Sequence, residues 1–105
     1  MIKETKYGVN MKLNLNHKLL QLDGAEFTEN GKDVYLSKLL AGRLSENVTG
    51  ISALKAYDWA KQLWDTGEIE IDRSDLVKLQ EFVESSQLFV FVKGQILEII
   101  LKALS

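Results

Sequence analysis

The sequence predicts an α+β fold in which an N-terminal β-hairpin packs on three to four helices, the whole being predominantly helical. Three patterns carry that expectation. Apolar and polar residues alternate from Val9 to Asn16, apolar residues recur at helical spacing in three stretches between Leu36 and Val83, and a long apolar run closes the chain from Leu88 to Leu104. A length of 105 residues, 46% hydrophobic and 27% charged, with no proline and no internal repeat, fits one domain spanning residues 1–105.

Side chains alternate across a strand, so Val9, Met11, Leu13 and Leu15 fall on one face of the first. Residues 1–8, polar with a single aromatic at Tyr7, read as a flexible arm. Leu19 to Leu22, then Asp23-Gly24, then Ala25-Glu26-Phe27 reads as a hairpin, since Asp-Gly accepts the positive φ angles of a type I′ turn. After a polar loop from Thr28 to Lys32, Asp33 can cap a helix that carries Leu36, Leu39, Leu40 and Leu44.

Ser52 caps a second helix that runs to about Thr66 and stops at Gly67. Its apolar side is expected to hold Ala53, Ala56, Tyr57, Ala60, Leu63 and Trp64. Glu68-Ile69-Glu70-Ile71 alternates over only four residues and reads equally as a strand added to the hairpin edge or as an extended crossing. Asp72, with Asp75 three residues on, opens a third helix with Leu76, Leu79, Phe82 and Val83 inward.

The last segment reads as a helix from Leu88 to Leu104 with Gln95, Glu98 and Lys102 on one narrow stripe and apolar residues nearly everywhere else. So wide an apolar surface requires cover. The helix is either the hub of the fold or a surface for another copy, and Ile96, Ile100 and Leu104 are the candidate contact residues. The β-rich run Leu88 to Val92 leaves open a strand there, with the helix starting near Lys93. Trp59, at the edge of the second helix's apolar side, is a further contact candidate, whereas Trp64 is expected in the core.

Charge and composition exclude several classes of function. Thirteen basic against fifteen acidic residues give a net charge of −2, so no global positive field gathers phosphates. Residues 1–22 carry +3 and the remainder −5. With no cysteine, disulfides, thiolate nucleophiles and Cys-based metal sites are impossible, and a cytoplasmic location is expected. The N-terminus lacks an apolar signal-peptide core, and Lys93, Gln95, Glu98 and Lys102 interrupt the only long apolar stretch, so membrane insertion is not expected.

No catalytic, cofactor-binding or metal-ligating set emerges, and the expectation is a protein that is not an enzyme. His17 is the sole histidine and sits among Asn14, Asn16 and Lys18, without a designated nucleophile or orienting carboxylate. The glycines form no phosphate-binding loop, and Gly50-Ile51-Ser52-Ala53-Leu54 lacks the second glycine of a nucleophile elbow. Asp65, Glu68, Glu70 and Asp72 match no calcium loop and read as a solvated edge.

Residues 36–66 place small or apolar residues at Ala41, Ser45, Ile51 and Leu54, as a helix-turn-helix does. The second helix offers Lys55, Asp58, Trp59 and Lys61, followed by acids, where base edges call for Arg, Asn or Gln and phosphates for Lys or Arg, so a DNA-binding regulator is only the alternative reading.

The pattern formed by Lys18-Leu19-Leu20, Asp23-Gly24, Leu36 to Leu44, Leu54 to Ala60 and Lys93-Gly94-Gln95-Ile96-Leu97 resembles that of small proteins encoded in bacteriophages and prophages. The resemblance covers most of the chain from residue 12 onward. It implies a phage-related accessory role in virion or tail assembly or in host interaction, with a homo-oligomer or another phage-type protein as partner. It carries over no functional residues.

Overall fold

The computed structural model describes residues 10–105, and the arm expected at residues 1–8 lies outside the described residues. The fold is α+β, with strands β1 (Met11–Asn14), β2 (Thr28–Glu29), β3 (Lys32–Asp33) and β4 (Glu68–Ile71) and helices α1 (Leu36–Leu44), α2 (Ala53–Asp65), α3 (Arg73–Ser85) and α4 (Val90–Leu104).

The period-two segments form a sheet with each other. β1 and β4 pair antiparallel, Leu13 opposite Ile69 and Met11 opposite Ile71, so Glu68-Ile69-Glu70-Ile71 is a strand, and its partner is β1 rather than the hairpin. Leu13, Ile69 and Ile71 face the core, while Lys12, Asn14 and Glu70 face water. Gly67 makes this junction possible. It ends α2 with φ +81°, its carbonyl accepts from the Leu15 N–H at 2.8 Å, and a Cβ there would stand 2.5 Å from the Cβ of Asn16.

The expected hairpin is present with a different turn. Only Gly24 has positive φ, the Gly24 N–H donates to the Gln21 carbonyl at 2.9 Å and the Gln21 N–H to that of Ala25 at 2.7 Å. That is a type I turn closed by a left-handed glycine, not a type I′ turn, because Asp23 keeps a negative φ. The type I′ geometry occurs one turn later, where Asn30 (φ 54°) and Gly31 (φ 78°) join β2 to β3 in the stretch expected to be loop. Lys18 ties the two hairpins together, its ammonium 3.3 Å from both Glu26 and Asp33.

Asp33 therefore pairs with Lys18 and does not cap α1. The N-cap position is Tyr35, which makes no side-chain cap. Backbone carbonyls take that role: His17 accepts from the Leu36 N–H at 2.9 Å and Leu15 from the Ser37 N–H at 3.0 Å, so two of the helix's open donors are satisfied without a side chain. The other caps are as expected, with Ser52 accepting from the Lys55 N–H and Asp72 from the Asp75 N–H.

α3 and α4 form an antiparallel pair in which each helix's cation holds the other's last carbonyls. Lys93 Nζ donates to the Glu84 carbonyl at 2.9 Å and Arg73 Nη2 to the Leu104 carbonyl at 2.6 Å, both at helix C-termini where positive charge is stabilised. α4 starts at Val90, after Leu88 and an extended Phe89, so Val90 to Val92 are helical. Gln95, expected on the polar outer stripe, instead acts as a strand partner. Its side-chain oxygen accepts from the Leu20 N–H at 2.9 Å and its amide donates to the Leu20 carbonyl at 2.7 Å, pinning the hairpin to α4.

Candidate functional site

Of the four residues expected to meet a partner, three lie inside the protomer. Ile96 and Ile100 are fully buried on the inner side of α4 with Val92, and Trp59 is 3% exposed on the inner side of α2. Leu104 is half-buried. The two tryptophans exchange their expected places: Trp64 is 57% exposed, and the buried stripe of α2 is Ala56, Trp59, Ala60 and Leu63. That stripe has the i, i+3, i+4, i+7 spacing of a helix face, rotated toward Trp59 by the packing of α2 against both α1 and β4.

With Ile96 and Ile100 turned inward, the side of α4 that meets water still carries apolar residues beside its charged ones. Val90 is 82% exposed, Leu101 is 49% exposed, Gly94 lies open between them and Leu97 is half-buried at the edge of the same strip. Glu98 and Lys102 flank it on one side. Their spacing, 90, 94, 97 and 101, is visible in the sequence and was obscured there because nearly every position of this helix is apolar.

The apolar surface continues at the start of α4. Phe89 is 76% exposed, and Leu22, at the tip of the first hairpin, is 94% exposed. Beneath Leu22 lies an open depression of about 430 Å³ whose walls include Phe27 and Phe91, with ring centroids 5.9 Å apart. Leu22 gains nothing from the fold at that exposure, since a buried leucine contributes about 1.5–3 kcal/mol and this one is left in water.

α2 presents a second exposed row, Leu54, Tyr57 and Trp64, of which Tyr57 and Trp64 border a groove of about 260 Å³ lined also by Ala41, Gly42 and Ala60. Here lysines lie over the rings. Lys38 Nζ is 4.0 Å from the Trp64 ring centre and donates to the Trp64 carbonyl at 2.8 Å, and Lys61 Nζ is 5.4 Å from the Tyr57 ring centre.

The same geometry weighs against the helix-turn-helix reading. Residues 45–52 connect α1 to α2, longer than the three or four residues of that motif, and Lys55 is held by Asp75 at 2.9 Å. His17 is exposed, with its backbone engaged by Leu15 and Leu36. Glu70 faces water across from Lys12, and among the described residues no three His, Asp or Glu side chains converge as a metal site. The pKa of Lys18 is raised above its ordinary 10.5, first by its hydrogen bond to Asp33 and then by that to Glu26. Among the described residues no helix is long and apolar enough to cross a membrane.

No family model matches the chain, and no match was found among curated proteins or solved structures.

Proposed function

We propose that the protein acts by binding another protein through the outer face of α4 and the adjoining hairpin tip, as a non-enzymatic assembly or interaction protein. The observation that supports this is a helix with apolar side chains on both sides in a fold that covers only one of them. Val92, Ile96 and Ile100 fill the core, while Val90 and Leu101 face water on the opposite strip. A surface helix normally turns a polar face to water, whereas here Glu98 and Lys102 share that face with the aliphatic Val90 and Leu101. The surface is also rigidly mounted, through Gln95 on the hairpin and through Lys93 and Arg73 on the α3 to α4 pair. The resemblance to phage- and prophage-encoded proteins suggests virion or tail assembly, or host interaction, as the setting.

The test is a photoreactive phenylalanine analogue placed in living cells at position 90, with Lys78, a charged and exposed position on α3, as the control site. Discrete protein adducts from position 90 that are absent from position 78 support the reading. Equal, diffuse labelling from both positions, or none from position 90, overturns it.

A further inference from the structure

Within one copy of the chain, Gly94 is unexplained. It sits in the middle of α4 with ordinary helical backbone, where glycine is among the least favourable residues, and a Cβ added to it would meet no atom within 4 Å. A glycine at an open helical position leaves room for a second backbone to come close to it.

The residues around it have the spacing such an approach requires. Val90, Gly94, Leu97, Leu101 and Leu104 follow one another at alternating intervals of four and three, the d-a-d-a-d seam of a two-stranded coil. In that frame Lys93 occupies the g position before Gly94 and Glu98 the e position after Leu97. In a parallel pair, g of one helix faces e five residues further along the other, so Lys93 faces Glu98 of the second copy, and two-fold symmetry repeats the contact. In an antiparallel pair like flanks meet, lysine side on lysine side and glutamate side on glutamate side, and that complementarity is lost.

Both charged groups are placed to make the contact. Glu98 is exposed and has no ion pair among the described residues. Lys93 gives one N–H to the Glu84 carbonyl, which fixes its position on the α3 side of the seam and leaves two donors.

We propose that the partner of this face is a second copy of the same chain, in a two-fold dimer that pairs α4 with α4 in parallel and brings the two Gly94 backbones together. This rests on the reading of the outer face of α4 as a protein-binding surface and names what binds there.

The experiment is sedimentation equilibrium on the full chain and four variants over a concentration series, with circular dichroism to verify folding. The wild type should be a dimer, and Leu101→Glu a folded monomer, since Leu101 lies outside the core. Lys93→Glu and Glu98→Lys should each weaken the dimer by about tenfold or more, because two like-charge contacts replace two opposite ones. Mixed in equal amounts, these two single variants should form a heterodimer, and the double variant Lys93→Glu/Glu98→Lys should regain the wild-type affinity. A wild type that is monomeric at every concentration overturns the dimer. So does a dimer that is indifferent to Leu101→Glu, or single variants that do not recover on mixing. The cross-linking from position 90 separates the two levels. Adducts only to a different protein uphold the interaction reading and overturn the dimer, whereas no specific adduct overturns both.

Discussion

α2 and α4 each bury one stripe and turn large apolar side chains to water on the other, but they treat the exposed side differently. On α2 one aliphatic, Leu54 in the first turn, is bare, while the exposed rings of Tyr57 and Trp64 lie under the ammonium groups of Lys61 and Lys38. Such contacts are worth about 0.5–1 kcal/mol at a surface and give an aromatic ring a partner within its own chain. On α4 the outward Val90 and Leu101 are aliphatic, and no cation can replace the missing apolar neighbour. An exposed aromatic under a lysine is an ordinary surface feature, whereas an exposed aliphatic strip opposite a filled core points to something outside the chain.

The two tryptophans provide the strongest way to break this comparison. Trp59→Ala should cost about 3–5 kcal/mol, the range for emptying a buried aromatic site, while Trp64→Ala should cost no more than about 1 kcal/mol. Urea unfolding of the two variants measures both, and equal losses would mean that the exposed ring of α2 is structural.

A pair one residue apart on α4 makes the corresponding test. Ile100→Ala should destabilise by about 2–5 kcal/mol. Leu101→Ala should stay within about 1 kcal/mol under conditions where the protein is dilute, because Leu101 is only half-covered within the protomer. A thermal melt repeated at high concentration sharpens the contrast, since a side chain used between copies becomes stabilising only when copies meet.

These pairs also show which parts of the structure were legible in the sequence. Ser52, Asp72 and Gly67 act within a few residues of themselves, so their roles as caps and stop follow from local chemistry alone. Asn30-Gly31 was equally legible, being the strongest short hairpin signal there is, but the two-residue strands beside it are polar and carry no alternation to frame it. The placement of Trp59 and Trp64 was not legible. It depends on the rotation of α2 about its axis, which α1 and β4 decide together. The same holds for the contact candidates on α4, because in a helix with so few polar positions the pattern cannot say which apolar strip the core takes. Asp33 reads locally as a helix cap, and its pairing with Lys18, fifteen positions earlier, depends on the fold.

The smallest expected effect concerns that lysine. Asp33 and Glu26 raise the pKa of Lys18 in the folded chain above its ordinary 10.5. The folded state therefore holds this proton more tightly than the unfolded one, and the contribution is fully present below pH 10.5 and lost as the pH rises through the folded value. Alkaline titration of stability should fall more steeply for the wild type than for Lys18→Met, and parallel curves would show that the two hairpins are held together by packing alone.

The pairing of Leu13 with Ile69 has a consequence for how the chain is made. During synthesis β1 emerges with both of its edges unpaired, and its partner strand follows only after α1 and α2 have been translated. At about 5–20 residues per second that interval is on the order of several seconds, far longer than a helix needs to form. α1 and α2 therefore have time to form and to offer Leu13 and Leu15 an apolar surface before β1 meets its partner strand. The β1–β4 sheet closes once β4 is made, with α3 and α4 still to follow, and until Gly67 brings β4 alongside, β1 is the segment that a chaperone or a neighbouring nascent chain would find.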